Sequence, residues 1–217
     1  MSLDTKAYLE SIKQAKEKSK KRKFSQSIEL IVNLRDIDMK KPESKIQERI
    51  ELPHAVGKQI KICVFASGEL ALKAKRAGAD LVMDRGELQS LAGDKKRRKA
   101  LSQAYDFFIA EAPFMPLIGK ILGSALGPKG RMPAPVPLSA NIAEHIKKYR
   151  KTVMVRLRGQ PVLQCRVGTD EMPEEQVVEN IRAVLSRLEG RLKRGFRNVE
   201  SIYVKTTMGP SVRIKVR

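Results

Sequence analysis

The rhythm of apolar residues changes near residue 56 and changes back near 153, and this double switch limits the fold more than any single motif. Between the switches, "IKICVFA" (60–66), "ADLVMD" (79–84) and "YDFFIAE" (105–111) are short, nearly continuous apolar runs. Helical stretches separate or follow them: "GELALKAKRAG", a basic stretch around "KKRRK", "FMPLIGKILGSALG" (114–127) and "SANIAEHIKKYRK" (139–151). A strand covered on both faces needs no polar side, so this pattern predicts a parallel sheet with helices on each face. Outside the switches the strands alternate, as half-buried antiparallel strands do. Because both flanks share that style, residues 1–55 and 153–217 are expected to form one discontinuous antiparallel α+β domain. Residues 56–152 would then be an inserted α/β domain, which requires only two neighbouring chain crossings.

In the flanks, residues 4–22 read as a helix that Asp4 could cap, with Tyr8, Leu9, Ile12 and Ala15 as its apolar stripe. The helix runs into "KEKSKKRK" (16–23). In "FSQSIELIVNL" (24–34), Ile28, Leu30, Val32 and Leu34 share one face, and "KIQERIEL" (45–52) follows a turn around Pro42. After 153, "VMVRLR" and "VLQCRVG" read as a hairpin joined by Gly159-Gln160-Pro161. An amphipathic helix over 174–189 carries Val177, Ile181, Val184, Leu185 and Leu188, and two final strands, "VESIYVK" and "SVRIKVR", bracket "TTMGPS".

Charge then narrows the partners. Against 24 Asp and Glu stand 44 Lys and Arg, a net charge of +20, which suits a polyanion: nucleic acid or an anionic membrane surface. Apolar residues are 41% of the chain, enough for real cores, and no apolar run approaches the ~20 residues of a membrane span. With no cleavable signal, a soluble cytoplasmic protein is expected. Cys63 and Cys165 lie in apolar runs and read as small buried hydrophobes. The middle block carries 18 basic and 8 acidic residues, half of the net charge, so charge does not select the binding domain.

Catalytic readings find little support. "GSALGPKGRMPAP" (123–135) lacks the Gly-Lys-Ser/Thr of a P-loop and the G-x-G-x-x-G of a dinucleotide site. Its Lys129 and Arg131 could hold a polynucleotide phosphate, or the loop could simply be stiffened by proline. His54 and His145 have no companions at metal-ligand spacing, and no nucleophile elbow or paired carboxylates occur. Catalytic residues, metal and cofactor are therefore all expected to be none, with a nucleotide-dependent enzyme using the middle domain as the rival. "RGFRNVESIY" (194–203) begins like an RNA-reading strand and then departs from it at Arg197 and Asn198. Ten Phe and Tyr and no Trp disfavour a stacking platform. "TTMGPS" is left with two readings: a hairpin corner, or a tip whose hydroxyls, glycine and methionine touch RNA.

Four stretches bear on that choice: "ELPHAVGKQ" (51–59), "ILGSALGPKGRMPAP" (121–135), "VENIRAVL" (178–185) and "TTMGPSVRI" (206–214). In this order they closely resemble the L-one family of large-subunit ribosomal proteins, and "DFFIAEAPFMPLIGK" with the "KKRRK" insertion resembles its archaeal form. The resemblance implies a split antiparallel α+β domain from both termini with an inserted Rossmann-like α/β domain. It implies binding of structured large-subunit rRNA, chiefly by the split domain, in the mobile stalk beside the tRNA exit site. Release of deacylated exit-site tRNA and, in many members, repression of the protein's own mRNA follow from it. So does a free protein that is monomeric and binds no membrane. Carried over by position, the RNA face comprises Lys23, Phe24, Ser27 and Glu29, then Arg158, Arg166 and Gly168, then Ser201, Tyr203, Thr206, Thr207, Met208 and Gly209.

Overall fold

The computed structural model describes residues 5–39, 46–57, 59–138, 140–157 and 159–215. Contacts divide the chain into two compact units, Met1–Lys58 with Lys151–Arg217, and Gln59–Arg150.

The first unit begins with helix α1 (Thr5–Glu17), strand β1 (Ser27–Leu34) and strand β2 (Gln47–Glu51). The second holds β3 (Ile62–Phe65), α2 (Gly68–Arg76), β4 (Leu81–Met83), α3 (Arg85–Ser90), α4 (Lys95–Ala104), β5 (Phe107–Glu111), α5 (Met115–Leu126), β6 (Ala134–Val136) and α6 (Ile142–Arg150). The chain returns to the first unit with β7 (Thr152–Arg156), β8 (Val162–Thr169), α7 (Glu174–Glu189), β9 (Val199–Thr206) and β10 (Val212–Ile214).

In the first unit an antiparallel sheet runs β10-β9-β1-β8, with α1 and α7 packed on its inner face. The alternation of β1 explains its central place. Ile28, Leu30, Val32 and Leu34 are all buried, with Leu30 and Val32 opposite buried Val204 and Ile202 of β9 and Val32 opposite buried Leu163 of β8. The α7 stripe of Val177, Ile181, Val184, Leu185 and Leu188 is buried throughout. Lys16 at the end of α1 donates to Met172 O at 2.7 Å and to Glu174 at 2.9 Å, tying α1 to the start of α7. That ammonium holds the Glu174 carboxyl below the usual carboxylate range.

Three expectations need correction here. The first helix stops at Glu17 rather than 22, where Ser19 Oγ is held by Gln26 Nε2 and Thr206 Oγ1 and draws the chain out of the helix. The anticipated hairpin between the strands around Gly159 does not form: β7 pairs with β2, and β8 pairs with β1. Each strand finds a partner matched to its own length, and Gly159, at φ +72°, turns a corner between two sheets. Cys165, expected to be buried, leaves part of the residue exposed on β8, yet its thiol is desolvated and pushed up to about 12, as burial also pushes up the thiol of the fully buried Cys63.

The second unit is a parallel sheet ordered β4-β3-β5-β6 between helices. All residues of β3 and β5 are buried, as their unbroken apolar runs require. Phe65 and Phe108 stack at a ring-centroid distance of 6.2 Å, amid Leu88, Ile118 and Leu122. Two elements went unread in the sequence. β6 lies within the proline-rich loop, tolerated because an edge strand can spare the missing N–H of Pro135. α3 is announced by a capping box, in which Asp84 accepts from Glu87 N at 2.7 Å and Glu87 answers at Asp84 N.

Candidate nucleic-acid interface

The candidate interface is organised by a residue that the resemblance did not single out. Gln26, 2% exposed, precedes β1 and uses its whole side-chain amide to join two chain segments. Nε2 donates to Ser19 Oγ (2.9 Å) and to Lys20 O (3.1 Å) in the basic run, and Oε1 accepts from Met208 N (3.1 Å) at the tip. Its backbone is clamped to the end of β8, with Gln26 N donating to Asp170 Oδ1 and Asp170 N donating to Gln26 O. Asp170 also accepts from Ser25 Oγ at 3.0 Å. A buried side-chain amide with both ends used holds its neighbours in one arrangement, because any shift leaves a polar atom unpaired.

The tip closes on the same network. Thr206 Oγ1 donates to Ser19 Oγ (2.9 Å), Thr207 N donates to Ser27 O (3.0 Å), and Gly209 N donates to Thr206 O (3.1 Å). A Cβ on Gly209 would run into Thr206 Oγ1 and approach Ser19 Cβ within 3.3 Å, so glycine is required here for close approach rather than for an unusual φ. Two of the four exposed large apolar side chains among the described residues belong to this region: Phe24 at 52% and Met208 at 60%. Around them Lys18, Lys20, Lys21, Arg22 and Lys23 are exposed. The surface is thus a rigid, apolar-tipped corner beside a run of free cations.

The structure gathers Phe24, Ser27, Thr207, Met208 and Gly209 at one end of the β1–β9 pair, with Lys23 adjoining Phe24 in the chain. Tyr203 and Ser201 lie on the outward face of β9, Ser201 about 16 Å along the strand from the tip at ~3.3 Å per residue. Asn33 Nδ2 donates to Ser201 Oγ at 2.9 Å across the sheet. Glu29, an odd choice for an RNA face, lies between Lys205 of β9 and Arg166 of β8 in the strand register, so its charge sits between two cations.

Some positions carried over from the resemblance are not at the surface. Thr206 is fully buried, since the period of two that turns Ser201, Tyr203 and Lys205 outward turns Thr206 inward with Ile202 and Val204. Gly168 is buried too, and a Cβ there would meet Val177 Cγ2 at 2.9 Å, which makes it a packing glycine. Thr207 is exposed, yet its Oγ1 accepts from Ser27 N at 3.0 Å and therefore closes the strand end as well. Arg158 lies outside the described residues. The parity of β9 alone would have placed Thr206 inward; nothing local announces Gln26.

The inserted unit answers the two readings of its own motif. Lys129 Nζ donates to Ser102 Oγ at 2.8 Å, and Arg131 Nη1 donates to Ser102 O (3.0 Å) and Tyr105 O (2.8 Å). Both cations therefore fasten the loop to α4 and its end. The strand order reverses between β3 and β5, where an open α/β sheet would hold a nucleotide. At that point Ser67 N and Oγ, at the start of α2, donate to Glu111 Oε2 at 3.0 and 3.2 Å. The protein's own buried carboxylate occupies the donors that a phosphate would need.

Comparison with known proteins places the chain among ribosomal proteins. A family model described as the ribosomal protein L1p/L10e family matches residues 15–210. A large ribosomal subunit protein uL1 from Methanothermobacter thermautotrophicus is 47% identical over 206 residues, covering 95% of this chain and 97% of that protein. The uL1 protein of Hyperthermus butylicus is 49% identical over 208 residues, covering 96% and 95%. That of Pyrococcus horikoshii is 46% identical over 216 residues, covering 99% and 98%. The family is one of ribosomal proteins, not enzymes. With four-fifths and more of its length matched by the model and its relatives alike, the chain belongs to the ribosomal protein L1p/L10e family.

Proposed function

We propose that the chain is a component of the large ribosomal subunit that binds structured large-subunit rRNA through the first unit. The observation that carries this reading is the Gln26 network, which presents Phe24 and Met208 beside five exposed cations in a fixed geometry. Cations alone position a polynucleotide without specifying it, while a rigid apolar and hydroxyl corner selects a shape. In the ribosome this unit anchors the mobile stalk beside the exit site, where the protein assists release of deacylated tRNA. The same surface, meeting a similar fold in its own messenger, makes it a repressor of its own translation.

Phe24→Ser combined with Met208→Ser tests the reading without touching the hydrogen bonds. If each side chain covers a base or ribose for about 1 to 3 kcal/mol, the pair should cost at least roughly thirtyfold in affinity for structured rRNA. Melting temperature should stay that of the parent, since both residues are exposed. Binding equal to the parent's would place the site elsewhere.

The split domain should also stand alone. Glu51 and Thr152 face each other across the β2–β7 pair, and Leu52 N donates to Lys151 O at 2.9 Å, so the two crossings are neighbours. Replacing 59–150 with a short Gly/Ser linker is expected to leave a cooperatively melting protein that retains preference for structured rRNA over random duplex. A product without a cooperative transition, or preference carried only by the excised 59–150 fragment, would refute the assignment.

A further inference from the structure

α4 opens with Lys95-Lys96-Arg97-Arg98-Lys99, five cations in its first five positions. This is a poor way to build a helix. The N-terminal turn carries the positive end of the dipole and disfavours cations. Lys95 also stands at i,i+4 and i,i+3 spacing to Lys99 and Arg98, which adds like-charge repulsion. The local fold does not relieve it: Asp94 is the helix cap, accepting from Arg97 N at 3.0 Å, and no described carboxylate pairs with Lys95, Lys96 or Lys99.

Neighbouring cations, by contrast, are used inside the fold. Arg98 Nη1 donates to Ile121 O at 2.9 Å, and the Lys129 and Arg131 bonds to Ser102 and Tyr105 hold the 127–131 loop against α4. Between α4, the end of α5 and that loop lies a groove of about 450 Å³, walled by Lys95, Lys99, Ser124, Pro128 and Lys129 among others. The fold thus uses three cations to shape a groove and leaves Lys95 and Lys99 along its rim, with Lys96 and Arg97 beside them in the chain.

We propose that this α4–α5 groove of the inserted unit is a second RNA-binding surface, one that grips the phosphate backbone without reading sequence. The ribosomal reading enters only in the choice of RNA as the polyanion. Lys95 and Lys99 are one helical turn, about 6 Å, apart, which is close to the spacing of neighbouring phosphates on one strand. The Ser124 hydroxyl is exposed beside them for a phosphate or 2′-hydroxyl. Ala125 and Pro128 are the apolar residues of the groove, the rest of its apolar wall being Lys and Arg stems, and it holds no aromatic or long aliphatic residue of the kind a protein partner would bury as an anchor.

The test uses the full chain and a short RNA duplex of arbitrary sequence, with anisotropy measured across a salt series. One variant replaces Lys95, Lys96, Arg97 and Lys99 with glutamine. The control replaces Lys61, Lys75, Arg76 and Lys147, exposed on the same unit, for the same change in net charge. Each phosphate contact contributes ~0.7 to 0.9 to the slope of log affinity on log salt, or about five- to eightfold at ~0.1 M salt. The α4 variant should therefore bind at least roughly thirtyfold more weakly with a slope shallower by about 2, and the control less than about threefold more weakly. It should melt no lower than the parent, because repulsion has been removed. The milder pair Lys95→Gln and Lys99→Gln removes the two contacts one turn apart and gives the same reading at roughly thirtyfold should the full set perturb folding.

Equal losses in variant and control would reduce the groove to net charge and overturn the proposal. So would parental binding to polyglutamate as tight as to the duplex, with the α4 variant losing both equally, since that marks an acidic-peptide site. The α4 variant should keep the preference for structured rRNA over duplex, and the Phe24/Met208 variant should lose that preference. Failure of one reading therefore leaves the other visible.

Discussion

Replacing Gln26 with leucine is expected to weaken binding to structured rRNA about a hundredfold and to destabilise the first unit by about 2 to 4 kcal/mol. The side chain is nearly the same size, so the effect isolates the amide. Met208 N, Lys20 O and Ser19 Oγ each lose a partner, and a buried polar group left unpaired costs more than its hydrogen bond contributed. For a unit of this size the stability loss corresponds to a fall in melting temperature of roughly 6 to 16 °C. The affinity loss should persist well below that melting temperature, because the native chain no longer holds Phe24 and Met208 in register. Gln26→Glu is the informative partner: it keeps the acceptor for Met208 N but sets an oxygen against Lys20 O, so it should fall between parent and leucine variant. If the leucine variant melts early yet binds as the parent does when folded, the network is a structural clasp and the apolar corner needs no fixing.

The architecture was legible because its signals are periodic. Continuous apolar runs marked β3 and β5 as doubly covered strands, and alternation marked β1 as half-covered, each a direct consequence of how many faces must be hidden. Pairing was harder to read. β7 and β8 are adjacent in sequence and have a glycine and a proline between them, yet each pairs with a strand more than a hundred residues away. Local turn chemistry announces a corner and does not say whether the chain returns on itself.

The candidate site was legible only in outline. Position in the family pattern pointed to the tip, but strand parity sends Thr206 inward, and Gly168 is buried beside an irregularity in the β1–β8 pairing that leaves Val167 without a register partner. Gln26 is a lone polar residue in a polar stretch, and its importance comes from three partners up to 182 residues away. Long-range polar networks leave no periodic trace. The α4 run is the opposite case: its charges are plain in the sequence, but separating the cations that build the groove from those left over required the bonds of Arg98, Lys129 and Arg131.

Asn180→Leu should produce the other large effect, and it should fall on stability alone. Asn180 is fully buried in α7, accepts from His54 N at 3.0 Å, and donates to His54 O at 3.1 Å and Val167 O at 2.8 Å. It therefore pins the connection after β2 to both α7 and β8, joining the "LPHAVG" and "VENIRAVL" stretches. Leucine of similar volume leaves three backbone groups without partners, an expected cost of about 3 to 5 kcal/mol. Asn180→Asp adds a pH signature. It keeps the acceptor for His54 N, but an ionised carboxylate would face two carbonyl oxygens in a buried site, so the folded state favours the protonated form. A carboxyl whose pKa is raised by folding stabilises the native state at low pH and loses that contribution as pH rises through the folded value. N180D should accordingly be strongly destabilised near neutrality and recover as the solution is acidified, while N180L stays equally weak throughout. Rescue of both variants at low pH, or of neither, would remove the carbonyl pair as the cause. Measured well below its melting temperature, N180L should bind structured rRNA as the parent does, because neither His54 nor Val167 belongs to the Gln26 network. An rRNA affinity that falls in step with stability would instead mean that the connection after β2 is part of the RNA face.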